Sequence, residues 1–352
     1  MISKLLLFCL FLTACAEIPI QQTVQNNQLE DEDLRIIFLN VSQGDATILI
    51  GNDVFINYNQ TSGEEIGRFV QQEVMMIDCG PKSAVNHVID VLKRNGVKRI
   101  VTIVATNPDA DHIGGCADIM QQFPVSNVKS NVWQKNTKTF SEFISAVGTN
   151  RAYIKNDQGW TDMLFNGFFG IYNVSWMIAN DTNIVLDGND ASIITWIQRG
   201  SFSALFPGDC EKSCEMELLK GTTPIIPDPD VIMQVRQQTD EGIKKMFEAS
   251  QETSLYIPRV TLLKAGHHGS HTSSNPEFLD RVEPQIMVIS SAGGCPYLGC
   301  SSQIEGNRYG HPRSVTISEA LDRDIEILRT DIHGDIEIVV DKHGNYAIRT
   351  ER

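Results

Sequence analysis

The side chains best equipped for chemistry lie in one short loop, Thr106-Asn107-Pro108-Asp109-Ala110-Asp111-His112-Ile113-Gly114-Gly115. It follows an apolar, β-branched run, Arg99 to Ala105, that reads as a strand, so the loop is presented at a strand terminus. Carboxylate oxygens from Asp109 and Asp111 with an imidazole nitrogen from His112 make a mixed donor set that suits zinc or manganese. The two glycines behind them let the backbone fold back tightly. Taken alone, the pattern also fits a solvated loop or a helix cap. Two distant segments repeat the theme, however: Leu205-Phe206-Pro207-Gly208-Asp209 ends an apolar run on a carboxylate, and Leu262 to Ser270 ends another on His267 and His268. His311, in Tyr309-Gly310-His311-Pro312, is either a further member or a structural histidine before proline. In a layered sheet protein, strand ends share an edge, and donors far apart in sequence can meet there.

The elements that must position these groups alternate between strand and helix. Leu34 to Val41 and Ala46 to Ile50 are apolar runs separated by the turn residues Ser42-Gln43-Gly44-Asp45. Val54 to Gly67 reads as a polar, hairpin-like insertion, and Val74 to Gly80 as a strand ending on Asp78. Val85, Val88, Ile89 and Leu92 recur at helical spacing until Asn95-Gly96 stops them. Later strands are expected at Ile171 to Ile178, Ser192 to Gln198, Phe202 to Phe206, Val260 to Lys264, Gln285 to Ser290, Ile325 to Leu328 and Ile336 to Val340. Helices are expected near Ser141, Lys245, Pro276 and Val315, with Asn275-Pro276 as cap and first-turn proline. The stretch 211–258, with Pro224, Pro227 and Pro229, reads as an insertion over the core. The class is mixed α/β, and the spread of the motifs favours one domain over 34–352.

Ahead of that domain, a short basic start and the apolar run Leu5 to Leu12 fall below the ~18 residues of a membrane span and read as a signal peptide. The run closes on Leu12-Thr13-Ala14-Cys15, a lipoprotein-type cleavage box with Cys15 as the lipidated residue; an ordinary signal peptide or a buried strand is the alternative. Residues 16–33 are polar and suit a flexible tether. The expected chain is therefore exported and lipid-anchored to a membrane of the cell envelope. A net charge of −15 disfavours a stable complex with nucleic acid, which needs a basic face. Of eight cysteines, six remain after Cys9 and Cys15, an even number that suits an oxidising compartment. Cys210 with Cys214 and Cys295 with Cys300 are spaced for local bridges, which leaves Cys79 with Cys116; scattered free thiols are the alternative.

In order along the chain, Phe38-Leu39-Asn40-Val41-Ser42-Gln43-Gly44-Asp45-Ala46, Ile77-Asp78-Cys79-Gly80, the Asp109 to Gly115 loop, Asn189-Asp190-Ala191-Ser192, the Asp209 turn, Gly266 to Ser270 and Tyr309 to Pro312 resemble the hydrolase domain of the ComEC competence family, within the metallo-β-lactamase superfamily. The resemblance runs from Leu34 to Val340 and does not extend to that family's membrane channel. It implies a four-layer αββα sandwich (α/β, α+β) with one or two divalent ions, Zn or Mn, at one edge between the sheets. It also implies a bridging carboxylate at Asp209, a metal-bound hydroxide as nucleophile and a phosphodiester-containing substrate. The candidate ligands are Asp109, Asp111, His112, Asp209, His267 and His311. Asp111 and His268 are placed at the chemistry, His268 and His311 either steadying an oxyanion or adding ligands.

One position departs from the family pattern: Asn107 stands where a histidine usually opens the metal loop, and a neutral amide is a weak ligand. Asp190, where the family tends to carry asparagine, is either an extra oxygen ligand or a solvated turn residue. A second reading is therefore a catalytically degenerate envelope-binding protein on the same fold. β-Lactam hydrolysis follows from the fold alone and lacks the histidine-rich loop it requires.

Overall fold

The computed structural model describes residues 33–58, 65–131, 134–148, 151–153, 173–178, 188–219, 259–293 and 309–352. Cys15, the tether, Cys295, Cys300, the helix expected near Lys245 and most of the expected 211–258 insertion lie outside the described residues. No helix among the described residues is long and apolar enough to cross a membrane.

In chain order the elements are β1 (Leu34–Phe38), β2 (Thr47–Tyr58), β3 (Glu65–Ile77), α1 (Val85–Arg94), β4 (Ile100–Ala105), the single turn α2 (Ala110–Ile113), α3 (Cys116–Gln122), β5 (Val125–Ser130), α4 (Lys138–Val147), β6 (Arg151–Tyr153) and β7 (Asn173–Ile178). There follow β8 (Ile193–Arg199), β9 (Phe202–Phe206), α5 (Lys212–Leu219), β10 (Leu262–Lys264), α6 (Pro276–Val282), β11 (Ile286–Ile289), α7 (Ser314–Leu321), β12 (Glu326–Arg329), the turn α8 (Thr330–His333), β13 (Ile336–Val340) and β14 (Tyr346–Thr350).

The period-2 alternation of apolar residues builds two sheets, ordered β14-β13-β1-β2-β3-β4-β5-β6 and β12-β11-β10-β9-β8-β7. Leu34, Ile36 and Phe38 of β1 meet Phe202, Ala204 and Phe206 of β9, Leu262, and Ile286 and Val288 of β11 in one core between the sheets. The alternate residues point outward. Ile37, Ile48, Val74 and Met76 lie under Val88, Ile89 and Leu92 of α1, Ile119 of α3 and Phe140 and Phe143 of α4. Leu205, Leu263, Met287 and Ile289 lie under Leu218 of α5, Phe278, Leu279 and Val282 of α6 and Ala320 of α7. These are the four layers, helix, sheet, sheet and helix, of the expected αββα sandwich.

β3, β4, β5 and β6 pair in parallel in one sheet, as do β9, β10, β11 and β12 in the other. Parallel strands put their carboxyl ends at one margin, where loops gather functional groups. Helix α6 begins as its sequence dictates: the Asn275 side chain accepts from Phe278 N at 3.2 Å, and Pro276 opens the first turn.

The polar stretch Val54 to Gly67, read as hairpin-like, is the outer part of two long antiparallel strands. β2 and β3 run through it as an antiparallel ribbon, paired from Thr47 with Ile77 out to Tyr58 with Glu65. β1 flanks β2 only as far as Ile50, and β4 flanks β3 only from Met75 to Ile77. Beyond those points no other described strand pairs with the ribbon, so no apolar alternation is demanded of it. β14, an edge strand with little buried surface, also has too weak an apolar pattern to be read from sequence.

Phe38 and Phe206 stack at 5.8 Å between the sheets, each at the end of a strand that leads into a polar loop. Phe206→Ala leaves a cavity there, and an equilibrium urea titration should show a loss of about 3–5 kcal/mol with an unchanged m-value.

Candidate metal centre

Five strand-end loops deliver the site. After β1, Gly44 approaches the metal loop so closely that a Cβ on it would lie 2.4 Å from Asp111 O, and its φ of +140° already excludes a side chain. This contact seats Asp45, whose N–H donates to Asp111 O at 3.1 Å. After β3, Asp78 turns left-handed (φ +58°) and accepts from Thr106 N at 2.8 Å, Thr106 Oγ1 at 2.6 Å and His112 Nδ1 at 2.7 Å. After β4, the turn α2 offers Asp111 and His112. After β9, Gly208 (φ +60°) has no room for a Cβ beside Thr106 and Ser192, and Asp209 follows. After β10, His267 and His268 both adopt left-handed backbone conformations (φ 45° and 56°), a strain of about 1–3 kcal/mol each that the surrounding contacts must hold.

Hydrogen bonding fixes the imidazole tautomers. His112 Nδ1 faces Asp78, a carboxylate that can only accept, so Nδ1 carries the proton and the Nε2 lone pair faces Asp209 Oδ2 at 2.9 Å. His268 Nδ1 donates to Ser290 O at 3.0 Å, leaving Nε2 to face Asp111 Oδ2 at 3.4 Å and Asp209 Oδ1 at 3.6 Å. Lone pairs opposed in this way repel unless a proton or a metal cation lies between them. In the metal-free chain protons meet the need. Burial opposes the imidazolium of His112, yet Asp209 and Asp78 hold it well above the usual imidazole range. His268 is pushed up to about 9 by Asp209 and Asp45 against the same opposition. Burial likewise opposes the charge on Asp209, which His112 and His268 hold well below the usual carboxylate range.

A metal cation fits the same place. Asp45, His112, Asp209 and His268 are all buried, and each offers a ligand atom within 4.8 Å of the other three. Asp45 Oδ1, Asp209 Oδ1 and His268 Nε2 are buried with no hydrogen-bond partner, which is costly unless something absent satisfies them. Two carboxylates with two imidazoles suit zinc or manganese. Asp78 behind His112 and the Ser290 carbonyl behind His268 are the outer partners that orient metal-binding imidazoles.

The other expected residues sit around this group. Asp111 flanks His268, with 31% of its side chain exposed, and so connects the centre to solvent. Asp109 stands apart from the four, its carboxylate in an ion pair with Lys135. Asn107 spends its Oδ1 on the N–H of Asp109 at 2.9 Å. Asp190 accepts from Glu211 N at 2.9 Å and Cys214 N at 3.3 Å, so it caps the start of α5 as a turn residue. His267 Nδ1 pairs with Glu211 at 2.7 Å. The ring of His311 is 5.2 Å from that of His267 and stacks on His268 at 6.3 Å. Burial, with His267, His268 and Arg313 close by, pushes His311 down to about 3, so it is neutral.

Sequence reasoning missed Asp45 as a donor, although Gly44-Asp45 repeats the Gly208-Asp209 pattern of a carboxylate after a left-handed or extended glycine. It also missed Lys264, the last residue of β10, whose ammonium is buried against Asp45 Oδ2. Two of the expected disulfides are present, Cys79–Cys116 and Cys210–Cys214, each beginning one residue past a site carboxylate. On a chain-entropy basis the first, spanning 37 positions, contributes about 4 kcal/mol and the second about 2.

A model of the metallo-β-lactamase superfamily matches residues 69–187, which include most of β3, all of β4 and the Asp109 to Gly115 loop. Over that stretch the chain resembles the metallo-β-lactamase superfamily. It is similar to ComE operon protein 3 of Bacillus subtilis, 22% identical over 254 residues that cover 71% of this chain and 26% of that protein. Competence protein ComA of Neisseria gonorrhoeae is 33% identical over 141 residues, 40% of this chain and 17% of that one. The chain thus spans about a quarter or less of the curated relatives it matches. Among solved structures, the metallo-β-lactamase fold protein YhfI from Bacillus subtilis aligns with a TM-score of 0.39 at 11% identity, covering 90% of this chain and all of that one.

The loop that carries His267 and His268 is held by Glu215 of α5, which sequence reasoning also missed. Its carboxylate accepts from Ser274 N at 2.5 Å, from Asn275 N at 3.0 Å and from Asn275 Nδ2. Burial nevertheless pushes Glu215 up to about 7. Between the ordinary value of 4.5 and about 7 the folded chain therefore holds one more proton than the unfolded chain, and stability falls as pH rises through that window. Unfolding free energies from urea titrations at pH 5 and pH 7.5 should differ by about 2 kcal/mol more in the wild type than in Glu215→Gln.

Proposed function

We propose that this domain is a metal-dependent hydrolase of phosphodiester substrates, exported and held to a membrane of the cell envelope by lipid on Cys15. The observation that carries the hydrolase reading is Asp209. Its Oδ2 faces the Nε2 of His112 and its Oδ1 faces the Nε2 of His268, a bridging disposition that asks for positive charge on both sides. Asp45, His112, Asp209 and His268 would hold one or two Zn or Mn ions. When bound, such an ion supplies a water acidified toward neutral pH and neutralises charge on a phosphoryl oxygen.

The chain's own residues do the rest. Asp78 keeps the proton of His112 on Nδ1 and so keeps Nε2 free to bind. Lys264 offsets the charge of Asp45. Burial opposes charge on Asp111, but the His268 hydrogen bond holds it below the usual carboxylate range, so Asp111 stays anionic at the solvent side, where it accepts a hydrogen bond from an incoming water and aims it. The acidic surface turns away long polyanions, which favours small envelope phosphodiesters over DNA.

A second reading, an envelope-binding protein without turnover, draws on Asn107 and Asp109, neither of which joins the donor group. Metal analysis and an assay on aryl phosphodiesters separate the two. Wild type should carry at least one Zn or Mn per chain and lose hydrolysis to a chelator, and His112→Ala or Asp209→Ala should weaken metal binding by tenfold or more. A chain isolated without metal and without chelator-sensitive turnover sinks the hydrolase reading. Independently, Cys15→Ser should shift the chain from the membrane fraction to the soluble fraction of cells.

A further inference from the structure

Asn107 and Lys135 are unexplained by metal ligation, and their chemistry has the opposite sign. An amide oxygen can ligate a cation, but Asn107 Oδ1 already accepts the N–H of Asp109 at 2.9 Å. Of the two polar atoms of the amide only Oδ1 can accept a backbone N–H, so this bond fixes the orientation of the amide and leaves Nδ2 uncommitted. Asn107 is 2% exposed, and its Nδ2 is buried with no hydrogen-bond partner. A buried NH2 is a donor without acceptor capacity, so it cannot bind a metal ion. It can serve an oxygen anion. Lys135 adds charge of the matching sign: its ammonium meets Asp109 Oδ1, the residue whose N–H holds the Asn107 amide. An ammonium has three N–H donors, and Asp109 uses one.

We propose that Asn107 and Lys135 form an anion subsite beside the metal centre, in which Asn107 Nδ2 donates to a non-bridging oxygen of the substrate's phosphoryl group and Lys135 supplies a second donor and its charge. This inference rests on the hydrolase reading and specifies what the opening half of the loop does. Asp111 and His112 serve the cation side, while Asn107 and Lys135 serve the anion side. Asparagine at position 107 is then a substrate-positioning residue rather than a lapsed ligand.

The test is calorimetric titration of inorganic phosphate into the full chain, with zinc bound and after its removal, in wild type, N107D, N107A and K135Q, with zinc content measured for each. N107D and N107A both lack the donor, but only N107D keeps the acceptor for Asp109 N. The expected result is an affinity at least tenfold weaker in all three variants, with zinc content unchanged and the Asn107 dependence present with and without zinc. Loss in N107A alone marks a broken turn, loss in N107D alone marks charge repulsion, and equal affinity in all forms marks no subsite; each overturns the inference. Loss of phosphate together with zinc overturns it as well. A wild-type chain that takes up no zinc instead sinks the hydrolase reading, and the zinc-free titrations still decide the role of Asn107.

Discussion

The convergence of four carboxylates, three of them buried, in one small space is the constraint from which the rest of the centre follows. Asp45, Asp78, Asp111 and Asp209 converge with His112, His268 and Lys264, and no arrangement of like charges at this density is stable without compensation. One lysine and two protonated imidazoles provide it when no metal is bound. The imidazoles can exchange their protons for a metal cation because their other nitrogens are already committed to Asp78 and to the Ser290 carbonyl. Their basicity in the metal-free chain and their orientation for ligation have the same cause.

Holding that charge at one margin requires unusual backbone. Two consecutive histidines with positive φ, a left-handed Asp78 and a glycine pressed onto the metal loop are local expenses that an isolated loop would not sustain. Three apolar cores and two sheets with parallel ends sustain them. The Asn275 cap and the Glu215 carboxylate then fasten the histidine loop to the helices of the outer layer. Strain at the site and rigidity behind it are therefore two sides of one design.

Much of this was legible in the residues themselves. Alternating apolar runs marked β1, β9 and β13, Asn275-Pro276 marked α6, and the strand-end carboxylates and histidines marked the margin where they meet. His112, Asp209 and His268 were singled out on that basis. Asp109 is a candidate ligand by type, and Asp190 stays open between ligand and turn residue, because type and spacing cannot report which oxygen is already taken by a backbone N–H or a lysine. Lys264 was invisible for the converse reason: a lysine closing an apolar strand looks like a solvated end until its partner, more than two hundred positions earlier, is placed against it. The hairpin character of the β2–β3 ribbon is legible but the full length of its strands is not, because outside the sheet proper its pairing imposes no hydrophobic alternation.

The two disulfides deserve to be considered with the carboxylates they follow. Cys79 comes directly after Asp78 and Cys210 directly after Asp209, so each crosslink tethers a strand end that carries an acid. Apolar packing dictates the sheets whether or not the thiols are joined, but it does not dictate where those two acidic termini rest. Each crosslink therefore adds a covalent restraint beside an acid that hydrogen bonds alone would otherwise hold.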